Sequence, residues 1–380
     1  MRTNTRLIHA RQPADPLTGA VNVPIYLSST YRQAAPNQNQ GYVYSRSGNP
    51  TRAVLEATLA DLEGGARGLA FASGLGALAT LLEMFPSGSR IVAGDDLYGG
   101  TWRLLDHHRR QFGLRVEYVD FGRPGAAEEA LRTPAELVYM ESPTNPLLKL
   151  VDLRATARLG HAAGAIVAVD NTFATPVLQH PIELGADIVL HSTTKYLGGH
   201  SDIIGGALVL RTRALGERGA WLQNAVGAVP SPFDCFLVLR GLHTLGVRMA
   251  AHIASARAVA AVLEGHAKVA RVHFPGRRSH PQYALARRQM SGPGGIVSVE
   301  LKGGRKAALR FLRGLKVFTL AESLGGVESL ADHPASMTHA SVPKEEREAH
   351  GITDGLLRLS CGIEDPADLA EDVRSALGRV

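Results

Sequence analysis

Leu190-His191-Ser192-Thr193-Thr194-Lys195-Tyr196-Leu197-Gly198-Gly199-His200 is the stretch on which the fold turns. The apolar run 186–190 ahead of the hydroxyls reads as a short buried strand, and it stops at Ser192 and a single lysine. Glycines follow at once, which places Lys195 on a turn at the end of a strand. Open α/β sheets hold their ligands at that edge. A lysine partly withdrawn from water there loses some preference for the ammonium form and becomes a usable nucleophile. Taken alone, such a lysine is more often a solvated surface residue. The rest of the chain argues otherwise.

Upstream, the apolar run 165–169 ends on Asp170-Asn171-Thr172. By itself Asp170 reads as a turn or helix-capping residue. Beside a strand-end lysine it gains another role, since a carboxylate can keep a pyridine nitrogen protonated so that the ring accepts electrons. Leu69-Ala70-Phe71-Ala72-Ser73-Gly74-Leu75-Gly76 breaks from a strand-like run into an apolar helical one. The free N–H groups at such a helix start, together with the helix dipole, favour an anion. Ser73, Gly74 and Leu75 therefore read as a phosphate cradle, and Ser192 and Thr194 are placed to add hydroxyl donors. A phosphate-bearing aldehyde that forms a Schiff base with Lys195, such as pyridoxal 5'-phosphate, suits these parts.

Five stretches carry a resemblance to a known family. They are Ser192-Thr193-Thr194-Lys195-Tyr196, Val169-Asp170-Asn171-Thr172, Glu141-Ser142-Pro143-Thr144-Asn145-Pro146, Tyr44-Ser45-Arg46-Ser47-Gly48-Asn49-Pro50-Thr51 and Ala321-Glu322-Ser323-Leu324-Gly325-Gly326. With them the chain resembles the Cys/Met-metabolism family of pyridoxal-phosphate enzymes. That family includes cystathionine γ-lyases, γ-synthases and β-lyases and methionine γ-lyases, and the chain is most similar to the first two. The resemblance implies fold type I (aspartate-aminotransferase-like) and a carbon–sulfur lyase acting on sulfur amino acids, with α,γ-elimination of cystathionine as the leading reading. Methionine γ-lyase, γ-synthase and β-lyase activity stay open as alternatives. A non-catalytic cofactor-binding regulator needs a DNA-binding module, and the sequence displays none.

The same resemblance assigns roles. Lys195, Tyr98 and Asp170 are the expected catalytic set. Tyr98 stacks on the cofactor ring, and a flat ring there excludes water and fixes the tilt. Asn145 meets the cofactor's phenolic oxygen. Tyr44 and Arg46 reach a neighbouring subunit's phosphate, for which the arginine fork is suited. Arg358, flanked by Leu357 and Leu359 on a strand, faces away from them and takes the substrate α-carboxylate, with Ser323 and Thr338 beside it. Glu322 is placed to read a distal ammonium and Arg103 to face substrate. Val43 stands where many cystathionine enzymes carry an acid, which points to relaxed specificity.

From 50 to about 245 the pattern alternates strand-like and helical runs, as in a mostly parallel sheet covered by helices on both faces. Expected strands lie at 69–72, 90–93, 115–119, 137–140, 166–169, 188–191 and 207–210. Residues 1–49 carry turn formers and few apolar periods and read as an extended N-terminal arm lying on another subunit. Residues 50–245 form the large cofactor-binding domain. A linking helix starting at Gly246 opens a smaller C-terminal α/β domain, 246–380. The family implies a homotetramer, a dimer of dimers with active sites at the dimer interface.

Composition limits the alternatives. The chain has 380 residues, 45% hydrophobic and 20% charged, as in an ordinary folded domain. Its formal charge of +6 comes from scattered lysines and arginines without a basic run, which argues against nucleic acid as a partner. The N-terminus lacks a secretory pattern, and the uncharged stretch 68–82 is too short for a bilayer, so no membrane partner is expected. Two distant cysteines suggest neither disulfides nor zinc and fit a cytoplasmic protein. The histidines show no metal-ligand spacing, and no metal site is expected.

Overall fold

The computed structural model describes residues 1–340 and 342–380. Strands β1 (Arg67–Phe71), β2 (Arg90–Gly94), β3 (Arg115–Val119), β4 (Leu137–Glu141), β5 (Ile166–Asp170), β6 (Ile188–Ser192) and β7 (Gly206–Leu210) make one sheet in the order β1-β7-β6-β5-β4-β2-β3. Neighbours from β3 to β6 are parallel, and β7 runs antiparallel to both β6 and β1. All seven lie on the runs expected to be strands. Alternate residues enter different cores: Ile91, Tyr139 and Ala168 on one face, Val92, Val138 and Val167 on the other. A parallel sheet covered on both faces demands such near-continuous apolar strands.

The helices are α1 (Thr3–His9), α2 (Pro50–Glu63), α3 (Gly74–Leu82), α4 (Gly99–Phe112), α5 (Ala126–Ala130), α6 (Leu153–Ala162), α7 (Thr175–Leu178), α8 (Arg213–Val226) and α9 (Pro232–Leu263). Then come α10 (Tyr283–Gln289), α11 (Gly304–Gly314), α12 (Lys344–Ala349) and α13 (Pro366–Gly378). Their starts follow local chemistry. Asn49 accepts from the Thr51 and Arg52 N–H groups ahead of Pro50, and Asp365 accepts from Ala367 N beside Pro366. A second sheet, ordered β10-β11-β12-β9-β8, is built from β8 (Val269–His273), β9 (Ile296–Leu301), β10 (Thr319–Leu320), β11 (Leu330–Asp332) and β12 (Leu356–Ser360). It is antiparallel except for the β10–β11 pair. A mostly parallel large sheet with a second, mostly antiparallel sheet is the architecture that the family resemblance implies.

Two expectations need correction. The first residues are not extended throughout: α1 is a helix whose Leu7 is buried in the same core as α2 and α9. Arg6 Nε reaches Asp61 Oδ2 at 2.9 Å, and Thr58 Oγ1 donates to Ala10 O at 3.0 Å. Beyond Ala10 the segment does leave Leu17, Val21 and Leu27 exposed. The linking helix begins at Pro232 rather than Gly246, with Ser231 capping Phe233 N, so a boundary at 245/246 falls inside α9. Gly241 hides that start from a periodicity reading. A Cβ there would lie 2.4 Å from Gly198 O, so glycine is needed where α9 runs against the lysine turn.

At 32 residues α9 is long and apolar enough, by length and composition, to cross a bilayer. Much of its apolar surface is instead buried inside the protein, although Phe233 and Val247 are exposed. Cys235, Leu239, Leu242 and Met249 belong to the core under the large sheet, and Ala256, Val259 and Leu263 to the core of the second sheet. Truncating Leu242, which is wholly buried, to alanine should cost about 2–5 kcal/mol, read as a lower denaturant midpoint at unchanged slope.

Candidate active site

The C-terminal ends of β4, β5 and β6 carry Glu141, Asp170 and Ser192, and the turn after β6 carries Lys195. Parallel strands end together, so residues far apart in sequence meet at one edge. They line a cavity of about 640 Å³ whose other wall comes from 321–330, Thr338 and Arg358. Of the expected residues, Ser73, Gly74, Leu75, Tyr98, Asn145, Asp170, Ser192, Thr194, Lys195, Glu322, Ser323, Thr338 and Arg358 line it. Val43, Tyr44, Arg46 and Arg103 do not. Arg46 is exposed, donates to Asn224 O at 2.7 Å and lies over the Tyr44 ring. Arg103 is exposed on α4 outside the cavity.

Lys195 Nζ lies 2.9 Å from Ser323 Oγ. Burial brings its pKa down from 10.5 to about 8; the Arg358 charge adds to the fall and the Glu322 charge opposes it. The turn is fixed from beneath. Thr194 Oγ1 exchanges hydrogen bonds with Gly205 O and N, and Gly198 N donates to Thr193 O. Arg358, 2% exposed, donates from Nη1 to Asn145 Oδ1 at 2.9 Å and from Nη2 to Ser323 O at 3.0 Å. Asp332 pairs with Nη2 at 3.3 Å and accepts from Thr338 Oγ1. Ser323 thus meets both cationic side chains, and it does so with φ +98°, a left-handed conformation costly for a non-glycine residue.

The residues fit pyridoxal phosphate. Ser73 Oγ accepts from Gly76 N at the start of α3, leaving its hydroxyl proton and the first helix N–H groups for an anion. A Cβ on Gly74 would sit 3.1 Å from Ser192 Cβ, so glycine keeps the cradle open. Asp170 is steadied by the Thr172 N–H at 2.9 Å and turns its carboxylate to the cavity wall. Burial raises its pKa, which a cationic ring nitrogen placed against it would reverse.

Sequence reading missed two carboxylates. Glu141, aligned with Asp170 across the β4–β5 register, accepts from the Tyr98 N–H at 3.0 Å, and burial followed by the Asp170 charge raises its pKa well above normal. Its place at a strand end, matching Asp170 and Ser192, was the available signal. Asp332 faces Arg358 in the β11–β12 register, a pairing between distant segments that no local pattern reveals.

Residues 4–378 match the family model for Cys/Met metabolism PLP-dependent enzymes. A cystathionine β-lyase of Coxiella burnetii is 53% identical over 376 residues, covering 98% of this chain and 97% of that one. A cystathionine γ-lyase of Bacillus subtilis is 47% identical across the full length of both. A crystal structure of cystathionine γ-synthase from Xanthomonas oryzae pv. oryzae superposes with a TM-score of 0.97 at 47% identity, covering 100% of this chain and 98% of that one.

The lowered amine pKa has a measurable sign. In cofactor-free protein, acylation of Lys195 should rise with pH about a midpoint near 8, below that of ordinary lysines. Arg358→Gln removes a like charge and should move the midpoint up; Glu322→Gln removes an opposite charge and should move it down. Mass mapping of competitive labelling checks all three.

Proposed function

This chain belongs to the Cys/Met metabolism family of pyridoxal-phosphate-dependent enzymes, and within it we propose a lyase that cleaves cystathionine by α,γ-elimination. One observation carries the substrate reading: the Arg358 guanidinium and the Glu322 carboxylate line the same cavity as the Lys195 amine. A substrate with a carboxylate to meet the first and a distal ammonium to meet the second suits those two poles. When bound, the cofactor supplies an electron sink for the charge released at the substrate α-carbon.

The chain's own residues do the rest. Arg358, held by Asn145 and Ser323, orients the α-carboxylate. Lys195, its proton affinity lowered to the working range, takes the α-proton and delivers protons to the γ-carbon side. Asp170 would hold a proton at the ring nitrogen of the bound cofactor, and Tyr98, lining the same cavity, would cover the ring and exchange a proton at the leaving sulfur. Ser73, Gly74, Leu75, Ser192 and Thr194 form the phosphate cradle.

Product analysis tests this. With cystathionine, γ-cleavage yields cysteine, 2-oxobutanoate and ammonia, whereas β-cleavage yields homocysteine, pyruvate and ammonia. Replacement chemistry needs an activated homoserine plus cysteine and releases no ammonia, and transamination needs a keto-acid acceptor. Pyruvate as the main product would overturn the γ reading. Glu322 is exposed, so its attraction for an ammonium contributes about 1 kcal/mol or less, roughly fivefold. Glu322→Val should lower kcat/KM for cystathionine by about that factor and spare methionine.

We further propose a homotetramer in which Tyr44 and Arg46 serve a neighbouring subunit's phosphate. Neither side chain lines the cavity of its own chain, and the arm leaves apolar side chains exposed, which supports this. Mixing Arg46→Ala with Lys195→Ala protein should restore part of the lost activity, because one hybrid site carries neither lesion. No recovery in verified mixed oligomers means that each subunit uses its own arginine.

A further inference from the structure

Helix α4 has Tyr98 at its N-cap, and the Tyr98 side chain makes no cap hydrogen bond. The N–H of this N-cap residue finds its acceptor on β4. Glu141, at the end of β4 and 6% exposed, accepts from Tyr98 N with Oε1 at 3.0 Å and Oε2 at 3.2 Å. Thr101 Oγ1, one turn along α4, lies 3.5 Å from Oε1. On the other side the Tyr98 ring folds back over Gly100, where an added Cβ would stand 2.4 Å from a ring carbon. The ring is therefore held at its backbone by Glu141 and given room by a glycine, while Glu141 itself sits in register with Asp170. Tyr98 and Asp170 both line the cavity, and adjacent strands place them: β5 carries Asp170, and β4, through Glu141, anchors Tyr98.

We propose that Glu141 is a positioning residue, which holds the N-cap residue of α4 from β4 and thereby fixes the Tyr98 ring within the cavity that Asp170 and Lys195 also line. The inference rests on the cofactor reading above and adds a residue to it. Two carboxylates on adjacent strand ends, Glu141 buried and Asp170 half-buried, do not readily both ionise. With Asp170 charged against a ring nitrogen, Glu141 keeps its proton and still accepts from the Tyr98 N–H through its carbonyl oxygen. Glutamine reproduces that state in shape and acceptor; alanine and methionine do not.

The test is a double-mutant cycle on cofactor affinity, with the visible circular dichroism of the bound cofactor as a second readout. Glu141→Ala should weaken pyridoxal phosphate about tenfold and reduce the dichroic band, as loss of an ordered hydrogen bond does. Glu141→Gln should keep both within about threefold of the parent. The Glu141→Ala/Tyr98→Ala protein should bind no more weakly than Tyr98→Ala alone. Multiplied losses in the double variant, or an unchanged band in Glu141→Ala, overturn the proposal. If Glu141→Ala does not fold, Glu141→Met fills the same space without an acceptor and takes its place. Borohydride reduction of the parent protein separates the two readings. Without a cofactor adduct on Lys195 the cofactor reading itself fails; with the adduct present and losses multiplied, only the role of Glu141 falls.

Discussion

Ser323 is where the two halves of the site are tied together. Its hydroxyl meets the Lys195 amine from the large sheet, and its carbonyl meets the Arg358 guanidinium from the second sheet. Two cations withdrawn from water repel each other, and each also loses hydration. The neutral oxygens of one residue, reached through a strained φ, give each an acceptor without adding a negative charge. Asp332 and Glu322 then supply charge from the flanks, one buried behind the arginine and one exposed beside the lysine. That distribution leaves the amine basic enough to take a proton and not so basic as to keep it.

Much of this was legible in the chain. The strands of the large sheet announce themselves as short apolar runs ending in chemistry-bearing residues, because burial on both faces leaves no room for polar alternation. Lys195, Asp170 and Ser192 could be grouped before any coordinates, since parallel strands finish on one edge. The β12 arginine was readable from its two leucine neighbours, which fix the face it leaves.

What was not legible depends on pairing between distant segments. Glu141 counts only because α4 starts against the end of β4, and Asp332 only because β11 lies beside β12. Periodicity carries no information about either meeting. The start of α9 was masked for a related reason: Gly241 looks like an interruption until the lysine turn is seen packed against it. In α1 a single buried leucine, Leu7, outweighs the turn formers around it.

Helix α9 lends its first half to one hydrophobic core and its second half to the other. Neither sheet can melt without stripping one end of a continuous rod that the other sheet still needs. The two halves of the catalytic cleft therefore share a single cooperative fate. A lesion in the core behind Arg358 weakens the seat of Lys195 as well, beyond what their shared contact with Ser323 transmits.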